Sequence, residues 1–210
     1  MRNLFNPESL VWKPLGFLGD LVVLSLLWVV CSVPVVTLGP ASAALYDAAV
    51  HSLRRKEDLP FERFFATFRR ELKEGVLATL IWLGITAVFV TVFFALLRFV
   101  PACAEHWPLM LAAALILGFF LLCIQCWLWP TLSRFTLGLR ALHGAALRLA
   151  FGHILRSAAM AVLWGAALYA GLRWIAPSFV CPGLAAFLST WVVEPVFRRY
   201  EQAETQGNGH

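Results

Sequence analysis

Charge is what this sequence has least of. Only 14% of its 210 residues are Asp, Glu, Lys or Arg, where a soluble domain carries about a quarter. The shortage removes the usual catalytic sets. No two carboxylates face each other at a defined spacing, no serine stands in a nucleophile elbow, and no glycine-rich phosphate loop is present. The histidines at 51, 106, 143, 153 and 210 are scattered, and none shares a metal-ligand spacing with a carboxylate. The expectation is a protein that is not an enzyme and holds neither cofactor nor metal. No arginine- and lysine-rich arm is interleaved with exposed aromatics, so nucleic acid is not an expected partner. The five cysteines form no ligand pattern either. Cys123 and Cys126 lie inside an apolar run and read as small packing residues of one helix face. Cys103 and Cys181 fall on one expected side of the membrane, where a disulfide would be possible.

What is present is apolar. Hydrophobic residues make up 60% of the chain and the mean hydropathy is +0.77. The excess sits in long runs without charge, the mark of membrane-spanning helices. The pattern predicts an all-α polytopic membrane protein. A single membrane domain covers residues 1–197, with spans near 15–38, 76–97, 109–129, 158–174 and 179–193, and residues 198–210 form a polar, disordered tail. The first run ends near Ala41-Ser42-Ala43, which imitates a leader cleavage site. It is too long for a leader core and carries Asp20, so it reads as an uncleaved span.

The run Cys31–Asp47, CSVPVVTLGPASAALYD, breaks the first span with Pro34, Gly39 and Pro40 and restarts as a helix. Thr37 lies inside the break. Ala41, Ala44, Leu45, Ala48, Ala49 and Leu53 recur at helical spacing and give that helix one small apolar face. Tyr46 and Asp47 fall on its polar side, where Asp47 is expected to pair with a nearby arginine. Pro60 opens a second amphipathic helix with Phe61, Phe64, Phe65 and Phe68 on one face and Arg63, Arg69 and Arg70 around the rest. A basic helix of this kind suits a membrane surface or a partner protein. Phe151 belongs to a similar basic segment at residues 131–157. Pro130 is expected to end the third span.

Lysine and arginine crowd residues 51–75, residues 131–157 and the tail, with thirteen on that side against Arg2, Lys13, Arg98 and Arg173 on the other. The positive-inside rule then predicts a cytoplasmic C-terminus and an N-terminus outside the cell. The segment from Phe68 to Gly84 echoes that from Phe151 to Gly165. Each is a basic amphipathic stretch running into a span. The echo fits a parallel internal repeat or a chance likeness of short apolar segments.

The Gly19-Asp20-Leu21 of the first span, the CSVPVVTLG run at 31–39 and the Ala44-Leu45-Tyr46 that follows resemble the YesL family of bacterial membrane proteins. Phe64-Phe65, Phe68, Trp129-Pro130 and Arg134-Phe135 fit the same resemblance. The family's domain has no known function. Its members are often encoded beside carbohydrate-import ABC transporters, so the resemblance implies a bacterial cell-membrane protein associated with sugar uptake. Two functions follow as expectations. One is an accessory or assembly partner of an ABC importer, through subunit contact or self-association. The other is a small transporter or channel in its own right, favoured by the broken helix at Pro34–Pro40 and disfavoured by the few polar groups at membrane depth. Asp20 within the first span is a candidate site or a helix-contact residue.

Overall fold

The computed structural model describes residues 12–56, 59–100, 105–135, 138–174 and 179–207. Among them the chain forms eight α-helices and no strand. They are α1 (Trp12–Ser32), α2 (Leu38–Ala48), α3 (Pro60–Arg70), α4 (Leu72–Phe99), α5 (Trp107–Arg134), α6 (Leu139–Gly152), α7 (Ile154–Arg173) and α8 (Cys181–Gly207). Three of them, α4, α5 and α7, are long and apolar enough to cross a membrane. Their outer faces are exposed Leu, Val, Ile and Phe, which fits helices solvated by lipid rather than water.

Four segments differ from what the sequence suggests. The first helix stops at Ser32, short of the expected 38. Pro34 forces the residue before it out of helical backbone, and Val35–Thr37 make one 3-10 turn. The third apolar helix does not end at Pro130; it runs through that proline to Arg134. The apolar run expected over 179–193 is only the first half of α8, and no full-length candidate span lies there. The segment from 198 onward continues as helix to Gly207 rather than as a structureless tail. Cys103, one half of the expected Cys103–Cys181 disulfide, and residues 208–210 lie outside the described residues.

The chain doubles back at Pro34. A turn of a few residues joins α1 to α2, and the Trp28 indole N–H donates to the Ser42 hydroxyl at 3.1 Å. The two helices therefore form an antiparallel hairpin. The Thr37 hydroxyl lies 2.6 Å from the carbonyl oxygens of both Cys31 and Pro34, and the Thr37 N–H donates to Pro34 at 2.9 Å. These bonds stitch the turn and satisfy backbone groups that lipid cannot. A π-helical turn, Ala49–Arg55, prolongs α2, and Lys56 in left-handed backbone (φ 57°) ends it.

The centre of the molecule is α2. Gly39 to Ala48 are all buried, because α1, α3, α4, α5 and α8 pack around it. A helix can be covered on every side only if its side chains are small or apolar, and this one is Gly, Pro, Ala and Ser over its first turns. At its start the fit leaves no room for a methyl group. A Cβ on Gly39 would overlap the Thr79 hydroxyl and come within 2.7 Å of the Gly75 carbonyl and of the Trp129 ring. A Cβ on Gly75 would come within 2.8 Å of the Pro40 ring. The Gly39 N–H, an orphan at the helix start, donates to the Thr79 hydroxyl at 3.1 Å. Pro40 has no N–H to satisfy.

The two amphipathic helices run into spans through one non-helical residue each, Glu71 before α4 and His153 before α7. Trp82 and Trp164 stand the same number of residues beyond these joints. On the last helix, Phe17 of α1 packs edge-on to Phe187 at 5.1 Å, and the Ser25 hydroxyl accepts from the Gly183 N–H at 2.9 Å. Position rises along α1 as it falls along α8, so these two helices are antiparallel.

Candidate ligand-binding site

Beside α2 lies a cavity of about 250 Å³. Leu38, Ser42 and Tyr46 recur at one-turn spacing and place one edge of α2 along it. Trp28 of α1, Trp129 of α5 and Trp164 of α7 supply three indoles. Leu168, 47% exposed on the outer surface of α7, marks the lipid side. None of the described lining residues is charged.

Two of the indoles are fixed by serine. Trp28 donates to Ser42, and Trp164 donates to Ser189 of α8 at 3.1 Å. Ser189 in turn donates to the Ala185 carbonyl at 2.7 Å. Bonded at their N–H edges, both rings are held by position rather than by packing alone. Their centroids are 6.4 Å apart with the planes tilted by 49°. Gln125 and the Trp129 indole N–H complete the polar inventory: both residues line the cavity, and neither side chain makes a hydrogen bond within the described residues. An amide left without a partner at membrane depth is unfavourable. The Tyr46 ring also lines the wall, while its hydroxyl is buried beyond reach of solvent and without a partner.

Two charged clusters brace α2 and its π-helical extension. Asp47 is buried, with Arg63 Nε donating to Oδ2 at 2.6 Å and Arg63 Nη2 to Oδ1 at 3.3 Å. The Thr67 hydroxyl donates to Oδ2 at 2.6 Å, and His51 Nδ1 lies 3.2 Å from Oδ1. The arginine expected for Asp47 is thus Arg63, one helix further on. Glu194 is the second buried carboxylate. Arg134, Arg55 and Arg198 surround it at 3.4, 3.5 and 3.7 Å. Arg54 donates to the Thr190 carbonyl at 2.9 Å and lies over the Trp191 ring at 4.8 Å. Both clusters are buried carboxylates neutralised by guanidinium groups, which is the form in which a carboxylate tolerates burial.

The residues singled out in the sequence separate accordingly. Gly39, Pro40, Tyr46 and Asp47 come together on α2, the first two at its seam with α4, Tyr46 at the cavity and Asp47 in its cluster. Pro34 is exposed and Thr37 closes the turn; neither lines the cavity. Asp20 is half-buried on α1 and is not a lining residue. The phenylalanines of α3 do not form one outward face. Phe64 is fully buried against α1 and α2, Phe65 and Phe68 are half-buried, and only Phe61 stands out at 56% exposure. Arg69 is exposed, while Arg70 donates to Glu71 at 2.6 Å and to the Ser133 carbonyl at 3.0 Å. Phe151 is exposed yet stacks on Phe120 of α5 at 5.9 Å. Sequence reasoning passed over Trp28, Ser42, Gln125, Trp164, Ser189 and Glu194 as site residues. Among the described residues no group of three or more His, Cys, Asp or Glu could hold a metal.

With this geometry in place, the comparisons with known proteins bear on its first half. Residues 21–93 match the family described as "Protein of unknown function, DUF624". The match spans most of α1, all of α2 and α3 and most of α4, so it includes the hairpin, the Gly39–Gly75 seam and the Asp47 cluster. No curated protein and no solved structure matches the chain.

Proposed function

We propose that this chain is a non-enzymatic integral membrane protein that holds a small molecule between its helices, as the binding element of a small transporter. The supporting observation is the uncharged cavity beside a fully buried broken helix, with indoles fixed by serines and the Gln125 amide unpartnered. Transport sites in helical membrane proteins are built at such interruptions, where backbone and polar groups are sheltered by neighbouring helices.

The topology that goes with it places the charged ends of α3, α5 and α8 in the cytoplasm of a bacterial cell. In it, α4, α5, α7 and the first half of α8 cross, and the α1–α2 hairpin enters and returns. Both termini then lie on the cytoplasmic side, in place of five crossings with the N-terminus outside. Two observations support this. The first is the antiparallel contact of α1 with α8. The second is the charge count: Arg2 and Lys13 join the basic side, leaving only Arg98 and Arg173 of the seventeen Lys and Arg opposite. The parallel repeat is retained as part of the proposal for the α3–α4 and α6–α7 units alone, supported by their matching joints at Glu71 and His153.

A second reading is an accessory subunit of a carbohydrate ABC importer. It rests on the YesL resemblance, and the exposed Phe61 and Arg69 of α3 offer such a partner a contact. One experiment separates the readings. The tagged full chain is withdrawn from native membranes in lipid nanodiscs, and what accompanies it is identified by native mass spectrometry. A bound neutral small molecule at one per chain supports the binding reading. Stoichiometric transporter subunits with no small molecule would favour the accessory reading instead.

A further inference from the structure

The lining of the cavity restricts what it can take. Resting on the binding reading above, we infer that the site accepts a neutral, largely apolar ring compound with a single polar edge, which lies against the indoles of Trp28, Trp129 and Trp164 and hydrogen-bonds to the Gln125 amide.

Charge is excluded first. No described lining residue is Asp, Glu, Lys, Arg or His. An ion at this depth would be desolvated with nothing to balance it. Size comes next. An apolar cavity of about 150 Å³ accepts benzene, so about 250 Å³ accommodates a two-ring compound. Shape follows from the walls. Indole faces favour flat or ring-shaped partners by offset stacking or by CH contacts, and the Ser42 and Ser189 bonds keep Trp28 and Trp164 from turning away.

Polarity is decided by counting free groups. The indole N–H groups of Trp28 and Trp164 are used internally, and Ser189 both accepts from Trp164 and donates to Ala185. The Tyr46 hydroxyl is buried away from the open space. Gln125 is left, with an amide that can donate and accept at one place, beside the Trp129 indole N–H and the Ser42 hydroxyl hydrogen, for which no acceptor is found among the described residues. A free monosaccharide carries a hydroxyl on nearly every ring carbon, and most of these would be stripped of water without replacement. A ring with one carbonyl or hydroxyl edge has a single polar group to satisfy, and the Gln125 amide supplies its partner. Leu168, exposed at the outer surface, gives such a compound an entry from the lipid rather than from water.

The test is equilibrium dialysis of the full chain in nanodiscs, with empty nanodiscs as the baseline for partitioning into lipid. Three probes are used: 1-tetralone, a two-ring ketone; tetralin, the same rings without oxygen; and methyl glucoside. The expected result is saturable 1-tetralone binding at one per chain, with tetralin weaker by about 2- to 10-fold, the worth of one neutral hydrogen bond, and no methyl glucoside. Gln125→Met, which keeps length and volume, should abolish the ketone preference while leaving tetralin unchanged. Equal binding of tetralone and tetralin to the unaltered chain would overturn the assignment of a polar edge. Methyl glucoside binding without tetralone would overturn the ligand class and leave the binding reading standing. No probe above the empty-nanodisc baseline would remove both.

Discussion

Replacing Asp47 by alanine tests the bracing of α2 most severely among single changes. The carboxylate side chain is 4% exposed and holds Arg63 through two nitrogens, at 2.6 and 3.3 Å, as well as the Thr67 hydroxyl at 2.6 Å. Removing one partner of a buried ion pair typically destabilises by about 3–5 kcal/mol, because the other charge is left without compensation. Arg63 is 28% exposed at its side chain, so it can recover part of its hydration, which places Asp47→Ala at the lower end, about 3 kcal/mol. Thr67 is buried and would lose its only acceptor of this kind, so the value should not fall much below that. Asp47→Asn keeps an oxygen for Thr67 and loses the charge, and should fall between, at about 1–2 kcal/mol. The assay is reversible unfolding of the full chain in mixed micelles on titration with a denaturing detergent, followed by helical circular dichroism. A double-mutant cycle with Arg63→Ala should give a coupling of at least about 1 kcal/mol. An Asp47→Ala change below about 0.5 kcal/mol, or strict additivity in the cycle, would refute the argument that this cluster fixes α2.

Three further outcomes follow from packing. Gly39→Ala and Gly75→Ala should each destabilise by about 1–3 kcal/mol in the same unfolding assay, since the added methyl meets backbone or ring atoms within 2.8 Å. Gly84→Ala, where a Cβ meets nothing within 4 Å, should be neutral or slightly stabilising. Phe64→Ala should cost about 3–5 kcal/mol as a fully buried ring, whereas Phe61→Ala, 56% exposed, should fall under about 1 kcal/mol; equal effects would mean that α3 does not face α2 as described. Glu194→Gln removes the buried carboxylate that Arg55, Arg134 and Arg198 approach and should lower the unfolding midpoint by more than Glu62→Gln on the exposed face of α3.

The long charge-free helices were legible because their signal is local: α4, α5 and α7 lie within a few residues of the expected spans. The break at Pro34–Pro40 was legible for the same reason. The burial of α2 was not. Its alanines predict one apolar face, and Ser42, Tyr46 and Asp47 count as polar outward positions in any periodicity. Their partners are Trp28, Arg63 and Thr67, on other helices, so the inward side exists only once the hairpin has closed. Glu194 was passed over alike, because Arg55 and Arg134 reach it from distant parts of the chain to join Arg198 of its own helix. Proline misled at 130, where the helix runs on to Arg134 inside the packed protein despite the missing N–H. Composition misled after 198, where polar residues extend α8 instead of leaving it. The cavity had one visible trace in the sequence, Gln125 within an otherwise apolar span.

The burial of α2 on every side carries the rest of the account, since the cavity, the seam and both charged clusters are built on it. Cysteine scanning from Gly39 to Ala49 in a cysteine-free background, with labelling by a small membrane-permeant maleimide, measures it directly. Buried packing predicts slow labelling at every position that folds, with only Ser42 and Tyr46, at the cavity wall, rising above the floor. A labelling pattern that repeats about every 3.6 residues, with one face as reactive as Phe61→Cys on exposed α3, would contradict it and return α2 to the membrane surface.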